Sequence, residues 1–248
     1  MHNTHYSFLI IGTAFALAGF VKGMVGMGLP TVAMGLLGLV MTPAQGAAIL
    51  VIPTILTNTW QLFAGPAFLP LLKRFWSLLL FSCIGIWSGF GLMSPDKAEF
   101  ASIALGSVLA IYALIGLMAV RFSVPKRAEW WLAPIMGFVT GLIGAATGIF
   151  VVPGIMYVQA LNLSREDFIQ ALGLIFSVSI FALSVNLFRD GMLQLSILPL
   201  SLSAFVAAAV GMALGTWLRY RTHPETFRKV FFIGLLLLGA HLALRKLL

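Results

Sequence analysis

The chain has 248 residues, of which 60% are apolar and 9% charged, with a formal net charge of +8 and a mean hydropathy of +1.05. A soluble domain carries about 25% charged residues, so the composition specifies a polytopic helical membrane protein, and no basic domain exists to support nucleic-acid binding. The alternating pattern of a β-barrel is absent, and the single cysteine, Cys83, excludes an internal disulfide framework or a thiolate metal cluster.

Apolar segments follow one another at 7–40, 44–64, 75–93, 99–120, 131–161, 168–188, 195–218 and 227–247. Six of them are near the roughly 20 residues that cross a bilayer as one helix. The segments 7–40 and 131–161 are too long. A 34-residue helix would run about 51 Å, against a hydrocarbon core of about 30 Å. The N-terminal MHNTHYSFLI has no basic region ahead of its apolar stretch, so it is expected to be retained rather than cleaved as a signal peptide.

The two overlong segments share a pattern. Residues 19–34 read GFVKGMVGMGLPTVAM and residues 137–152 read GFVTGLIGAATGIFVV, so Gly19, Gly23 and Gly26 recur 118 positions later as Gly137, Gly141 and Gly144. The chain therefore divides into a first repeat (1–122) and a second (123–248) within one membrane domain, joined through RFSVPKRAEW at 121–130. Glycine-broken apolar segments at matching positions of a repeat mark the central site of many transporters.

Charge places the second overlong segment. If 131–161 is a re-entrant hairpin, then Lys73, Arg74, Arg121, Lys126, Arg127, Arg165, Arg219, Arg221, Arg228 and Lys229 share one face, and Lys97, Arg189, Arg245 and Lys246 share the other. With eight single crossings the loop and tail cations would divide nearly evenly. The positive-inside rule favours the hairpin and puts the loops near 65–74, 121–130, 162–167 and 219–229 in the cytoplasm. Symmetry extends the hairpin to 7–40, where charge is silent. Each half then has one hairpin and three helices, so the expected fold is all-α with two inverted repeats and about eight membrane segments.

Lys22 is the one charged residue well inside a predicted membrane segment, and its repeat counterpart is Thr140. A lysine at mid-bilayer costs about 2.5–3.5 kcal/mol on insertion scales, which makes it a functional candidate. It either holds an anion at the hairpin tip or snorkels to the surface along its stem. Thr54, Thr57, Asn58 and Gln61 follow Pro53 at i, i+3, i+4 and i+7, one helix face. They would supply neutral donors to a polar ion or hydrogen-bond between helices. For the weaker stripe Gln170, Ser177 and Ser184, packing is the expected role. The glycine runs would open the backbone and aim helix N-termini at an anion, or else pack helices closely. Hydrolase, zinc-protease and P-loop motifs are missing, the four histidines are dispersed, and no acid lies inside a span, so neither an enzyme nor a metal carrier is indicated.

GFVKGMVGMGLP near the N-terminus, PTILTNTWQ at 53–61 and GFVTGLIG with the following VVP at 137–153 together resemble the TauE/SafE family of sulfite exporters, the TSUP superfamily. The likeness spans about 8–247. It differs in having GMGLP at 26–30 and GAATG at 144–148 where the family often shows adjacent glycines. The resemblance implies an inner-membrane carrier of small sulfur-containing anions such as sulfite, thiosulfate, sulfoacetate or other organosulfonates, usually an exporter, without cofactor or enzymatic step. Its partners would be that anion and the lipid bilayer, and a homodimer is among the assemblies it allows. The expected substrate-binding residues are Lys22, Gly26, Gly28, Thr57, Asn58, Gln61, Gly144 and Thr147, with the anion midway between two hairpin tips. The alternative is a non-transporting anchor or assembly subunit of a sulfur-metabolism complex.

Overall fold

The computed structural model describes residues 2–63, 65–118, 123–219, 221 and 224–245, with side chains described from Phe8 in the first helix and from Phe227 in the last. Arg121, His223, Lys246 and the expected division at 122/123 lie outside the described residues, as do the side chains of His2, His5 and Glu225. Every regular element among the described residues is helical. In chain order these are α1 (His2–Val25), α2 (Leu29–Leu37), α3 (Pro43–Phe63), α4 (Phe68–Ser88), α5 (Ala98–Met118), α6 (Glu129–Thr147), α7 (Gly154–Gln159), α8 (Arg165–Arg189), α9 (Leu198–Arg219) and α10 (Pro224–Leu244). Eight of the described helices, all but α2 and α7, are long and apolar enough to cross a membrane.

Both overlong segments are broken where the glycines fall. Gly26 and Gly28 adopt φ of 89° and 106°, and Gly148 adopts 72°, a region that L side chains enter only with strain. Each break turns the chain back. Lys22 bonds Thr57 and Asn58 while Gly26 bonds Gln61, so α1 and α3 run the same way, and the intervening α2 runs against both. In the second segment a Cβ on Gly154 would press on Thr140, the Tyr157 hydroxyl reaches the Glu129 carbonyl at 3.5 Å, and Val124 N–H donates to the Ala160 carbonyl at 3.1 Å. Residue 160 has thus returned to the level at which α6 began. The limbs are unequal, however. Each ascending limb is a full-length helix, and the returning limb holds only nine or six helical residues.

Glycines without unusual dihedrals do a different job. A Cβ on Gly19, Gly23, Gly211 or Gly215 would overlap the facing backbone between α1 and α9, and one on Gly85, Gly137 or Gly141 would do so between α4 and α6. Residue numbers rise together across both contacts, so each pair is parallel. The α5–α10 pair is antiparallel, with Gly106 against Ala243 and Gly116 against Phe232, and so is α3–α8, with Gly173 against Leu62 and Gln170 against Ala67. Numbering each half from its hairpin, α1 on α9 matches α6 on α4, and α3 on α9 matches α8 on α4. The two glycine runs therefore combine both expected roles: the leading glycines pack helices and the trailing ones make the turn. In lipid, where water drives no helix association, such close backbone approach is a principal source of cohesion.

Centrally placed α3 and α8 are the most buried of the eight long helices. Around them Phe15, Phe75, Phe150, Leu50, Leu105 and Leu109 are fully enclosed. The segment expected at 75–93 is shifted towards the N-terminus, as Phe68–Ser88. The fourth helix starts at Phe68 rather than 75, so Lys73 and Arg74 lie within it and only its approach remains from the loop expected at 65–74. Arg74 stays compatible with a helix because it forms a two-pronged ion pair with Glu129 at the start of α6, at 2.8 and 3.0 Å, where the two parallel helices begin side by side.

Gly19→Leu should force α1 from α9 and destabilise the protein by about 1–3 kcal/mol, read as a lower thermal midpoint in detergent. Gly12→Leu, where a Cβ meets no atom within 4 Å, should stay within about 0.5 kcal/mol of the parent. Equal midpoints for the two variants would contradict this packing.

Candidate functional site

The first break and the C-terminal half of α3 bring six of the expected residues together. Lys22 sits one turn before the end of α1, with only 5% of its surface exposed. Its ammonium donates to Thr57 Oγ1 at 3.0 Å and, by a short contact, to Asn58 Oδ1. It does not snorkel. The Thr57 hydroxyl is free to accept because it donates its own proton to the Pro53 carbonyl at 2.7 Å. One turn along α3, Gln61 Nε2 donates to the Gly26 carbonyl at 2.8 Å, supplying the partner that a backbone break inside a membrane requires. Gly28 completes the turn as the residue before α2, whose first turn has Pro30 as its second residue.

The arrangement has an electrostatic imbalance. No described Asp or Glu pairs with Lys22, and the Arg74–Glu129 ion pair lies away from it, between α4 and the start of α6. A buried charge ordinarily needs an opposite charge or a full set of hydrogen bonds. Lys22 has three N–H donors and two neutral acceptors. The N-terminal end of α2 opens at the same turn, and the aligned peptide dipoles there also favour negative charge. Asn58 Nδ2 beside the lysine, Gln61 Oε1 and Thr54 Oγ1 on the same face of α3, and Thr31 Oγ1 in the first turn of α2 are buried without a partner in the protein.

The other expected residues lie elsewhere. Gly144 leaves room for the Phe150 ring, and Thr147 donates to the Ile143 carbonyl at 2.8 Å and accepts from Ile149 N–H at 3.2 Å, so each is engaged within the second hairpin. The tip of that hairpin at Gly148 packs on Met34, which packs on Gly46. Gly46 and Gln61 stand fifteen residues apart on α3, about 22 Å at 1.5 Å per residue. The two breaks thus engage opposite ends of α3. The second break also lacks a helix start at its tip, because α7 begins only at Gly154.

Other buried polar groups act mainly as links. Gln170 ties the α3–α4 connection, donating to the Leu62 and Gly65 carbonyls and accepting from Ala67 N–H, the packing role expected of its stripe. Ser82 meets Ser179, Trp87 reaches the Ala182 carbonyl and Asn186 the Ile86 carbonyl, all between α4 and α8. A surface groove of about 550 Å³ along α9 is lined by Ala209, Met212, Ala213, Thr216, Trp217 and Arg221, and none of the residues around Lys22 faces it. Thr31 escaped sequence reasoning. Like Lys22, it is a polar residue in the repeated run whose counterpart, Ile149, cannot match it, and that asymmetry was the available signal.

Fold and site together define a multi-pass helical membrane protein in which, among the described residues, one lysine is buried beside a glycine break without a fixed counter-charge. The family model described as Sulfite exporter TauE/SafE matches residues 11–242, and the chain belongs to that family, one of transporters. No curated protein and no solved structure matches it.

Asn58→Leu should destabilise the protein by about 1–3 kcal/mol, because it strips a partner from a buried ammonium. Adding Lys22→Met should recover part of that loss, with a coupling of about 0.5–3 kcal/mol between the two sites in detergent melts. Additive effects would contradict the contact.

Proposed function

We propose that the protein is an inner-membrane carrier of small sulfur-containing anions, working as an exporter by alternating access, with the anion bound at Lys22. The observation that carries this reading is a buried ammonium held by two neutral acceptors and no carboxylate. A purely structural lysine in this position would be costly, and an incoming anion supplies the missing charge. Thr57, Asn58 and Gln61 orient the lysine and the break, while the Gly26–Gly28 turn and the start of α2 bring backbone dipoles to the same place. The second break, with Gly144 and Thr147, serves as the opposing arm of the transport cycle rather than as a direct ligand.

Two inverted repeats account for the packing. Symmetry mates that are antiparallel, α3 with α8 and α5 with α10, are what a twofold axis in the membrane plane generates. The glycine contacts add a constraint on the motion. Each hairpin is packed on a helix of the other half, α1 on α9 and α6 on α4, so these crossed pairs move as units and the halves do not simply rock apart. Lys22 is shielded in the present conformation, and a ligand reaches it when the hairpin and α3 part towards one side. The cation distribution puts the starts of α4 and α6 and the end of α9 in the cytoplasm. An anion leaving a cell that is negative inside gains about 2.3 kcal/mol per charge per 100 mV, sufficient to drive export without a coupling ion.

In liposomes holding the purified protein, sulfite flux should rise with an imposed potential. Lys22→Met should cut it at least about tenfold, the effect of losing one charge-assisted hydrogen bond of about 1.5–3 kcal/mol, while the variant remains monodisperse. Undiminished flux through Lys22→Met would remove the lysine from the mechanism.

A further inference from the structure

The orientation of two side-chain amides limits what the site accepts. Asn58 and Gln61 each carry one donor end and one acceptor end, and chemistry fixes which way each points. Asn58 must turn Oδ1 to Lys22, because an ammonium cannot accept from Nδ2. Gln61 must turn Nε2 to the Gly26 carbonyl, because a carbonyl cannot donate to Oε1. The atoms left over are therefore a donor, Asn58 Nδ2, and an acceptor, Gln61 Oε1, both buried and unpartnered in residues 0% and 8% exposed. They stand one helical turn apart on the same face of α3, flanking Lys22. Thr54 Oγ1, one turn earlier and also unpartnered, is a hydroxyl that can serve either way.

A simple oxyanion satisfies only half of this set. Its oxygens would accept from the third Lys22 N–H and from Asn58 Nδ2, but would meet Gln61 Oε1 lone pair to lone pair. A ligand that also carries an O–H or N–H satisfies both ends. Charge sets the second limit: one ammonium and no acid leave the cluster at +1, so a single negative charge is neutralised and a second is left buried without compensation. Resting on the anion site proposed above, we propose that this carrier selects monoanions bearing a hydrogen-bond donor, such as a singly protonated sulfur oxyanion or a hydroxy- or aminoalkanesulfonate, over dianions and over donor-free sulfonates. Gln61 is the specificity-determining residue, and its Oε1 receives the donor.

Hydroxymethanesulfonate and ethanesulfonate test this directly, since both are monoanions of equal heavy-atom count, differing in a hydroxyl against a methyl. Titrated against the unmodified protein in detergent, with thermal midpoint as readout, hydroxymethanesulfonate should bind about tenfold tighter than ethanesulfonate, and sulfate should bind more weakly than either. In Gln61→Met, which also removes the donor to the Gly26 carbonyl and so weakens both ligands together, the ratio of the two affinities should fall towards unity, and a tenfold ratio that survives the substitution overturns the role of Gln61. Equal affinity of the two sulfonates for the parent protein, or tighter binding of sulfate, overturns the selectivity and leaves the anion site standing. Absence of binding by all three, or binding that Lys22→Met does not alter, overturns the anion site itself.

Discussion

A positive charge enclosed within a membrane protein, and given only neutral partners, is the constraint from which the rest of this structure follows. Lys22 lies one turn before the end of a helix that is long and apolar enough to span the bilayer. The chain turns immediately after it, Gln61 takes up the carbonyl exposed by that turn, and the polar stripe of α3 is used up in holding the lysine and the break together. What remains unsatisfied is one N–H of the ammonium and a small set of side-chain atoms around it. Each is individually unfavourable to bury. Three of these atoms, on Thr54, Asn58 and Gln61, share one face of α3, and in the function proposed above a ligand completes them.

The surrounding helices make that arrangement affordable. Lipid tails supply no hydrophobic force between helices, so cohesion comes from close approach and from interhelical hydrogen bonds. Glycines on α1, α9, α4 and α6 let backbones meet where a single methyl would intrude. The contacts between α4 and α8, through Ser82, Ser179, Trp87 and Asn186, tie one central helix to its neighbour. Because each hairpin is packed on a helix from the opposite half of the chain, the two halves interlock.

Much of this was legible in the residues themselves. Excess length of 7–40 and 131–161 located both reversals, and the repeated glycines marked the turning residues to within two positions in the first segment and four in the second. The i, i+3, i+4, i+7 spacing of Thr54, Thr57, Asn58 and Gln61 put them on one face, and Lys22 stood out as the internal charge. Three things were not legible. The start of α4 was displaced because Lys73 and Arg74 read as a loop, whereas the Glu129 carboxylate that accommodates Arg74 is 55 residues away. The unequal limbs of the hairpins depend on where each turn falls relative to the neighbouring helices. The levels of the two breaks along α3 depend on long-range contacts such as Gly148 with Met34, which no local pattern encodes. For the same reason an anion midway between both tips was a natural reading of the symmetry, whereas the two breaks engage opposite ends of α3 and the function proposed above places the anion at the lysine.

The most direct measurement is the position of a bound anion. Selenite mimics sulfite and scatters anomalously, so diffraction from crystals grown with it at the selenium edge would locate the anion without interpretation of solvent density. The account predicts a peak within hydrogen-bonding reach of Lys22 Nζ and Asn58 Nδ2. A peak lodged instead against Gly144 and Thr147, with the surroundings of Lys22 vacant, would contradict it.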